Sequence, residues 1–176
     1  MATTAQLAEW RSCPRCETPL EHGEQSVSCP SCGLVEYANP APTASALVGD
    51  DEGGILLARR AGDPGRGLWD LPGGFVDQGE DPLETLRREL REEAGVEIDV
   101  GEFLGGIPDT YGEDGISTVN LYWAAAIADG ELRPADDVAE LAWFPADALP
   151  PRGEFAFANT IEVLERAGAS FREPES

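Results

Sequence analysis

Lysine is missing altogether from this 176-residue chain, and histidine occurs once, as His22. Without lysine there is no P-loop amine to meet a phosphate and none to form a Schiff base. One histidine gives a His-based triad a single candidate, and His22, beside a loop glycine, reads as a surface residue. Long apolar runs are missing too; none approaches the roughly 20 residues of a membrane span. The opening MATTAQLAEWRSC has neither a basic start nor an apolar core, so no secretory signal is expected and a cytoplasmic location is. Positive charge is scarce: 12 basic residues, all Arg, stand against 34 Asp and Glu, a formal charge of -22. Such a surface repels nucleic-acid backbones and anionic membranes, so neither is expected as a partner. Carboxylates, arginines and metal ions remain for chemistry.

With 41% hydrophobic residues the chain can bury a sizeable core, enough for one full domain and a small appendage. Its four cysteines form CPRC (Cys13, Cys16) and CPSCG (Cys29, Cys32), with twelve residues between the pairs. Two Cys-x-x-Cys turns at that distance aim four sulfurs at one tetrahedral zinc, a reading favoured over disulfides or redox pairs. Gly33 supplies the backbone freedom of the second knuckle. Residues 8–36 thus resemble a zinc ribbon. Four sulfurs leave no open position for water, so this zinc is structural.

YANPAP (Tyr37 to Pro42) reads as a stiff extended connector to the rest of the chain. TASALV and ILLARR read as strands joined in a hairpin by GDDEGG, and LWDLPGGFV as a short strand entering a Gly-rich bend. Asp81 to Ala94 reads as a helix, followed by strands in VEIDVGEFLGGI, STVNLYWAAAI and ELAWF. Phe155 to Arg166 is a closing helix with Ile161 and Leu164 inward. Strands interleaved with helices predict an α/β architecture with a mixed sheet between helical layers.

The helix carries an electrostatic puzzle. Asp81 is a good N-cap, Pro82 fits the first turn, Glu84 adds a capping-box-like pattern and Gly95 stops it. Leu83, Leu86, Leu90 and Ala94 form one apolar stripe. Glu89 and Glu93 lie one turn apart on its border with Glu92 a little further round, and like charges at that spacing repel. A solvated acidic face is the ordinary explanation. Upstream, however, Gly73-Gly74 lets the backbone approach closely and present a carbonyl. Carboxylates facing such a loop suit Mg²⁺ or Mn²⁺, which converts repulsion into chelation.

The spacing is also a signature. Gly74, Glu80 and the run Arg88-Glu89-Leu90-x-Glu92-Glu93-x-Gly95-Val96 resemble the box of the Nudix hydrolase family at all nine defining positions. The likeness extends from Asn39 to Ala167. A zinc ribbon joined to such a domain, here 40–168, also looks like the NADH pyrophosphatase group, although that group's SQPWPFPxS motif is replaced by IPDTYGEDGISTVNLYW.

The resemblance implies an α/β/α sandwich that hydrolyses a nucleoside diphosphate linked to another moiety, using Mg²⁺ or Mn²⁺. It makes Glu89 and Glu93 principal ligands, Glu92 a further one and the Gly73 carbonyl a contributor, with Arg88 paired to Glu80. Glu93 or a loop acid (Glu113, Asp114 or Glu154) would take a proton. Arg59, Trp69, Tyr111 and Phe157 are candidates to bind a small nucleotide substrate such as ADP-ribose or NADH. An oxidised dNTP and a non-catalytic nucleotide sensor are the alternatives. A homodimer is compatible with all of these.

Overall fold

The computed structural model describes residues 5–112 and 115–173. Among them no helix is long and apolar enough to cross a membrane. Two compact units emerge, Met1–Ala41 with Thr110–Ser117, and Pro42–Asp109 with Thr118–Ser176.

The first unit holds a one-turn helix α1 (Ala5–Ala8) and three short strands, β1 (Glu21–His22), β2 (Ser26–Ser28) and β3 (Val35–Tyr37). They pair antiparallel in the order β1-β2-β3. Its core is small: Leu7, Leu20, Val27 and Leu34 close around Cys13 and Cys29. So few apolar side chains cannot offset the chain entropy of folding, which is the physical case for a metal.

The second unit is a mixed α/β fold. Its strands are β4 (Ala41–Val48, beginning at the unit boundary), β5 (Gly54–Arg60), β6 (Trp69–Asp70), β7 (Gly73–Phe75), β8 (Val96–Tyr111, its last two residues counted in the first unit), β9 (Ile116–Gly130, its first two likewise) and β10 (Val138–Pro145). Helix α2 spans Pro82–Ala94 and α3 spans Ala158–Arg166. One sheet runs β7-β4-β9-β8 and a second runs β10-β5-β6. Alternation along the strands divides the core. Ala44, Ala46, Val48 and Leu56 join Leu86, Leu90 and Ala94 of α2. The opposite side chains Leu47, Ile55 and Leu57 join Val163 and Leu164 of α3. Strands with an apolar residue on both faces need a helix on each side, and that is the observed layering.

Two expectations need correction. The turn between β4 and β5 forms, with Asp50 Oδ1 accepting from Glu52 N and Gly54 N at 2.9 and 2.6 Å. The strands it joins nevertheless part into different sheets, β4 beside β7 and β5 beside β10. The turn chemistry is local, whereas partner choice is decided by which strands cover the apolar faces. The closing helix also starts later than expected. A 3₁₀ turn at Arg152–Glu154 precedes it; Leu164 and half-buried Ile161 do turn inward, and Val163 (1% exposed) joins them in the core.

Candidate metal and catalytic centre

Helix α2 fixes the site because its ends and its rotation are both determined. Asp81 caps it, its carboxylate accepting from Leu83 N at 2.9 Å, and Pro82 fills the first turn. Gly95 ends it in the left-handed region at φ 72°. Burial of Leu86, Leu90 and Ala94 sets the rotation. Glu93 is thereby turned inward at 6% exposed, the Glu89 side chain sits at the border at 14%, and the Glu92 side chain stays half out at 50%.

Two glycines bring a backbone against these acids. At Gly73 (φ 143°) an added Cβ would lie 2.2 Å from the Ala44 carbonyl oxygen, so only glycine lets β7 approach β4 there. Its amide donates to Glu93 Oε2 at 2.9 Å. At Gly74 an added Cβ would lie 2.2 Å from Glu89 Oε1, so the missing side chain is the space the Glu89 carboxylate occupies.

Arg88 gathers the rest. Its Nε and one terminal nitrogen donate to the two oxygens of Glu80, both at 3.0 Å. The other terminal nitrogen donates to Glu89 Oε1 at 2.8 Å and Glu92 Oε2 at 3.0 Å. Glu80 also accepts from the Thr85 hydroxyl at 2.7 Å. The Arg88 hydrogen bonds, and then that of Thr85, hold Glu80 down at about 2. Glu93 and Glu89 move the other way. Burial raises both, Glu93 well above the usual carboxylate range. One guanidinium among the four carboxylates of Glu80, Glu89, Glu92 and Glu93 leaves a deficit of three positive charges when all are ionised. A divalent cation suits that deficit and the oxygen-only donor set. The acids are not yet gathered around one point: among the described residues only the four sulfurs lie, as a set of three or more, within 4.8 Å of one another.

Asp137 is a residue that sequence reasoning missed. Arg133 N and Ala135 N donate to the Ala94 and Glu93 carbonyls, both at 3.0 Å, which lashes the segment before β10 to the end of α2. Asp137 thus faces Glu93 across a cavity of about 10 Å³, room for roughly one water, also lined by Arg60, Asp70 and Gly73. No local pattern marks Asp137, since long-range contacts place it: the bonds to the end of α2 and the pairing of β10 with β5. Asp70, pushed up to about 6 by burial, is a second acid that went unnoticed.

The four candidates for substrate contact do not line this cavity. Trp69 is 6% exposed, its ring edge-on to Phe144 at 5.1 Å, so that ring is core here and not open to a base. Arg59 lies over the Trp69 ring, donates to Gly67 O at 2.8 Å and pairs with Glu140 at 3.2 Å. Phe157 caps α3 beneath the Arg60 guanidinium, and half-buried Tyr111 ends β8 in the first unit. Glu113 and Asp114 lie outside the described residues. Glu154 lines a cleft of about 780 Å³ that contains no residue of the glutamate box.

No disulfide joins the four cysteines, and Cys13 faces Cys32 and Cys16 faces Cys29 at 3.5 Å each. Four sulfurs at about 2.3 Å from one zinc would stand roughly 3.8 Å apart, so little movement is needed. Arg15 N donates to Cys13 Sγ at 3.4 Å, and the side chain and backbone of Thr18 lower the Cys16 thiol to about 6.

Two expected results arise from this geometry. Gly74→Ala should stay folded, because the atom it meets is the end of a flexible side chain, but the Glu89 carboxylate must move. Mn²⁺ affinity by calorimetry should fall about tenfold, or ~1.4 kcal/mol; unchanged affinity would sink the importance of that close approach. The second concerns pH. The raised values of Glu93, Glu89 and Asp70 mean the folded protein keeps protons that the unfolded chain has released. Their contribution to stability is therefore full in acid and is lost as pH rises from about 4 through the folded values. Mn²⁺ should raise Tm more at about pH 7.5 than at about pH 5, and equal shifts would contradict it.

Comparison with known proteins follows the same outline. The NUDIX domain model matches residues 39–164. A Pseudomonas aeruginosa protein named NAD-capped RNA hydrolase NudC is 34% identical over 156 residues, 84% of this chain and 53% of its own length. The chain thus spans about half the length of the first such relatives. An ADP-ribose pyrophosphatase of Methanocaldococcus jannaschii is 32% identical over 114 residues, 65% of this chain and 67% of its own. Among solved structures, a MutT NUDIX hydrolase from Burkholderia pseudomallei is 30% identical with a TM-score of 0.65, covering 73% of this chain and 98% of its own.

Proposed function

Because the chain belongs to the NUDIX family, we propose that it is a Mg²⁺- or Mn²⁺-dependent pyrophosphohydrolase that cleaves a nucleoside diphosphate linked to another moiety. The observation that carries this reading is buried Glu93 and half-buried Glu89 held against Gly73-Gly74, with the Arg88 guanidinium shared among Glu80, Glu89 and Glu92. Glu89, Glu92, Glu93 and the Gly73 carbonyl would hold the cation, with Asp137 near enough to join them. A divalent ion there supplies Lewis-acid polarisation of the phosphate oxygens. Arg88 keeps Glu80, Glu89 and Glu92 in place. Glu93 Oε2 is occupied by the Gly73 amide, so Oε1 is the atom that would receive the proton of the attacking water. Residues 8–36 would form a structural zinc ribbon and 40–168 the hydrolase domain.

The substrate reading follows from where the cations are engaged. Arg88 serves the glutamates, Arg59 pairs with Glu140 and Arg60 with Asp70, so guanidinium groups for a terminal triphosphate are scarce. A diphosphate flanked by two sugars needs fewer. ADP-ribose or an NADH-like dinucleotide is favoured over an oxidised dNTP. The relatives' names include an activity on NAD-capped RNA, and a capped RNA end presents the same diphosphate. The expectation of no nucleic-acid partner is therefore narrowed to the RNA body, whose backbone the -22 charge opposes. Comparing kcat/KM for ADP-ribose, NADH, NAD-capped RNA and 8-oxo-dGTP under one metal tests this. A clear preference for the triphosphate overturns the substrate reading, and no metal-dependent turnover of any of them overturns the enzyme reading.

A further inference from the structure

Asp70 is a half-buried acid to which the chemistry above gives no part, and its surroundings are elaborate for a filler. It lies in β6, three residues before Gly73, with its side chain 18% exposed. Its Oδ1 accepts from the Thr160 hydroxyl at 2.5 Å and from Leu71 N at 2.8 Å. Its Oδ2 faces an Arg60 terminal nitrogen at 3.8 Å. Both partners are themselves held. Thr160 is 1% exposed in the first turn of α3, where its amide donates to Asn159 Oδ1 at 2.9 Å. Arg60 donates from Nε to Pro64 O at 2.7 Å and lies 5.2 Å over the Phe157 ring.

From Asp70 to the Gly73 amide the chain has little freedom. Leu71 is buried in the core at 3% exposed. Pro72 has a fixed φ, and its carbonyl accepts from Ala46 N at 2.9 Å. The next group along is the amide that donates to Glu93 Oε2. Anchoring Asp70 therefore anchors that amide, and Asp70, Gly73 and Glu93 line one cavity.

We propose that Asp70, clamped by Thr160 and Arg60, is a positioning residue: it ties α3 to the Gly73 turn and so holds the amide on which the Glu93 carboxylate rests. This rests on the role given to Glu93 above, yet it makes a claim of its own about the amide. The full-length protein carrying Thr160→Val, which keeps the shape and removes the hydroxyl, is the first test, with Asp70→Ala beside it and Thr160→Ser as the restoring variant. Hydrogen exchange of the Gly73 amide should quicken about tenfold or more in Thr160→Val and Asp70→Ala, and return in Thr160→Ser, while the core amides of Val48 and Leu57 keep their rates. With Mn²⁺, kcat should fall about tenfold and KM stay within about threefold. Unchanged Gly73 exchange overturns the proposal, and so does exchange that quickens in equal proportion at Val48 and Leu57. Faster Gly73 exchange with an unaltered kcat also overturns it. If the wild-type protein turns over nothing, the enzyme reading falls, while the exchange rates still decide this one.

Discussion

Glu93→Gln should leave a folded protein whose best metal-dependent hydrolysis has dropped at least about 100-fold, equivalent to ~2.7 kcal/mol in the barrier. The amide side chain can still accept the Gly73 hydrogen bond, so geometry is retained. It loses both the negative charge that would bind a divalent ion and the capacity to take a proton. Stability should move the other way. Burial disfavours the charged form of this group, so a neutral replacement removes that cost and the metal-free Tm at neutral pH should be equal or higher. Steady-state kinetics on the preferred substrate and a thermal melt together check both halves. Activity within a few-fold of wild type removes Glu93 from the chemistry. A lower Tm would show that the residue is chiefly a structural anchor.

Cys29→Ser carries the other large effect. Zinc content should fall from about one ion per chain, and the backbone before Tyr37 should lose its protection against hydrogen exchange. Structural zinc contributes roughly 10–16 kcal/mol to small metal-dependent folds. The six buried residues of the cluster described in the first unit offer nothing comparable. Hydrolysis should survive within a few-fold, because no cysteine belongs to the glutamate site. Elemental analysis beside an activity assay decides it. Zinc and catalysis lost together, in a second unit that remains folded, would make the ribbon part of the active site or of a dimer contact it requires.

What could be read in the amino-acid string was what is encoded over short distances. Asp81, Pro82 and Gly95 mark the ends of α2, and Leu86, Leu90 and Ala94 set its rotation. The inward turn of Glu93 therefore follows from helical periodicity alone. The paired Cys-x-x-Cys turns work in the same way, since each knuckle closes within a few residues. Asp70 and Asp137 stayed hidden for the opposite reason. Each reaches the cavity through pairing with β5, from residues 58 and 60 that no nearby pattern links to them. Trp69 shows the limit at a single residue. An aromatic beside the box is equally consistent with a stacking face or a core plug, and only the position of Phe144, brought by β10, selects the second. The β4–β5 turn belongs to the same class. Asp50 and the glycines made its shape readable, while the partners of its two strands lay elsewhere in the chain.

That turn has a kinetic consequence. Closing it joins neighbours and takes on the order of microseconds, but it does not align the strands on either side. β5 instead pairs with β6, Ala58 beside Asp70, and with the distant β10, Leu57 beside Ala142, while β4 pairs with β7, Ala44 beside Gly74. Registries set between such distant residues fold over milliseconds to seconds. In the first unit Ser28 pairs with Glu21 and with Val35, close neighbours along the chain. During synthesis the thiol knuckles would thus be complete, and able to take up their ion, before β10 has left the ribosome. Asp137 would be among the last groups to reach the box glutamates, since the strand that follows it is also the strand that closes the second sheet.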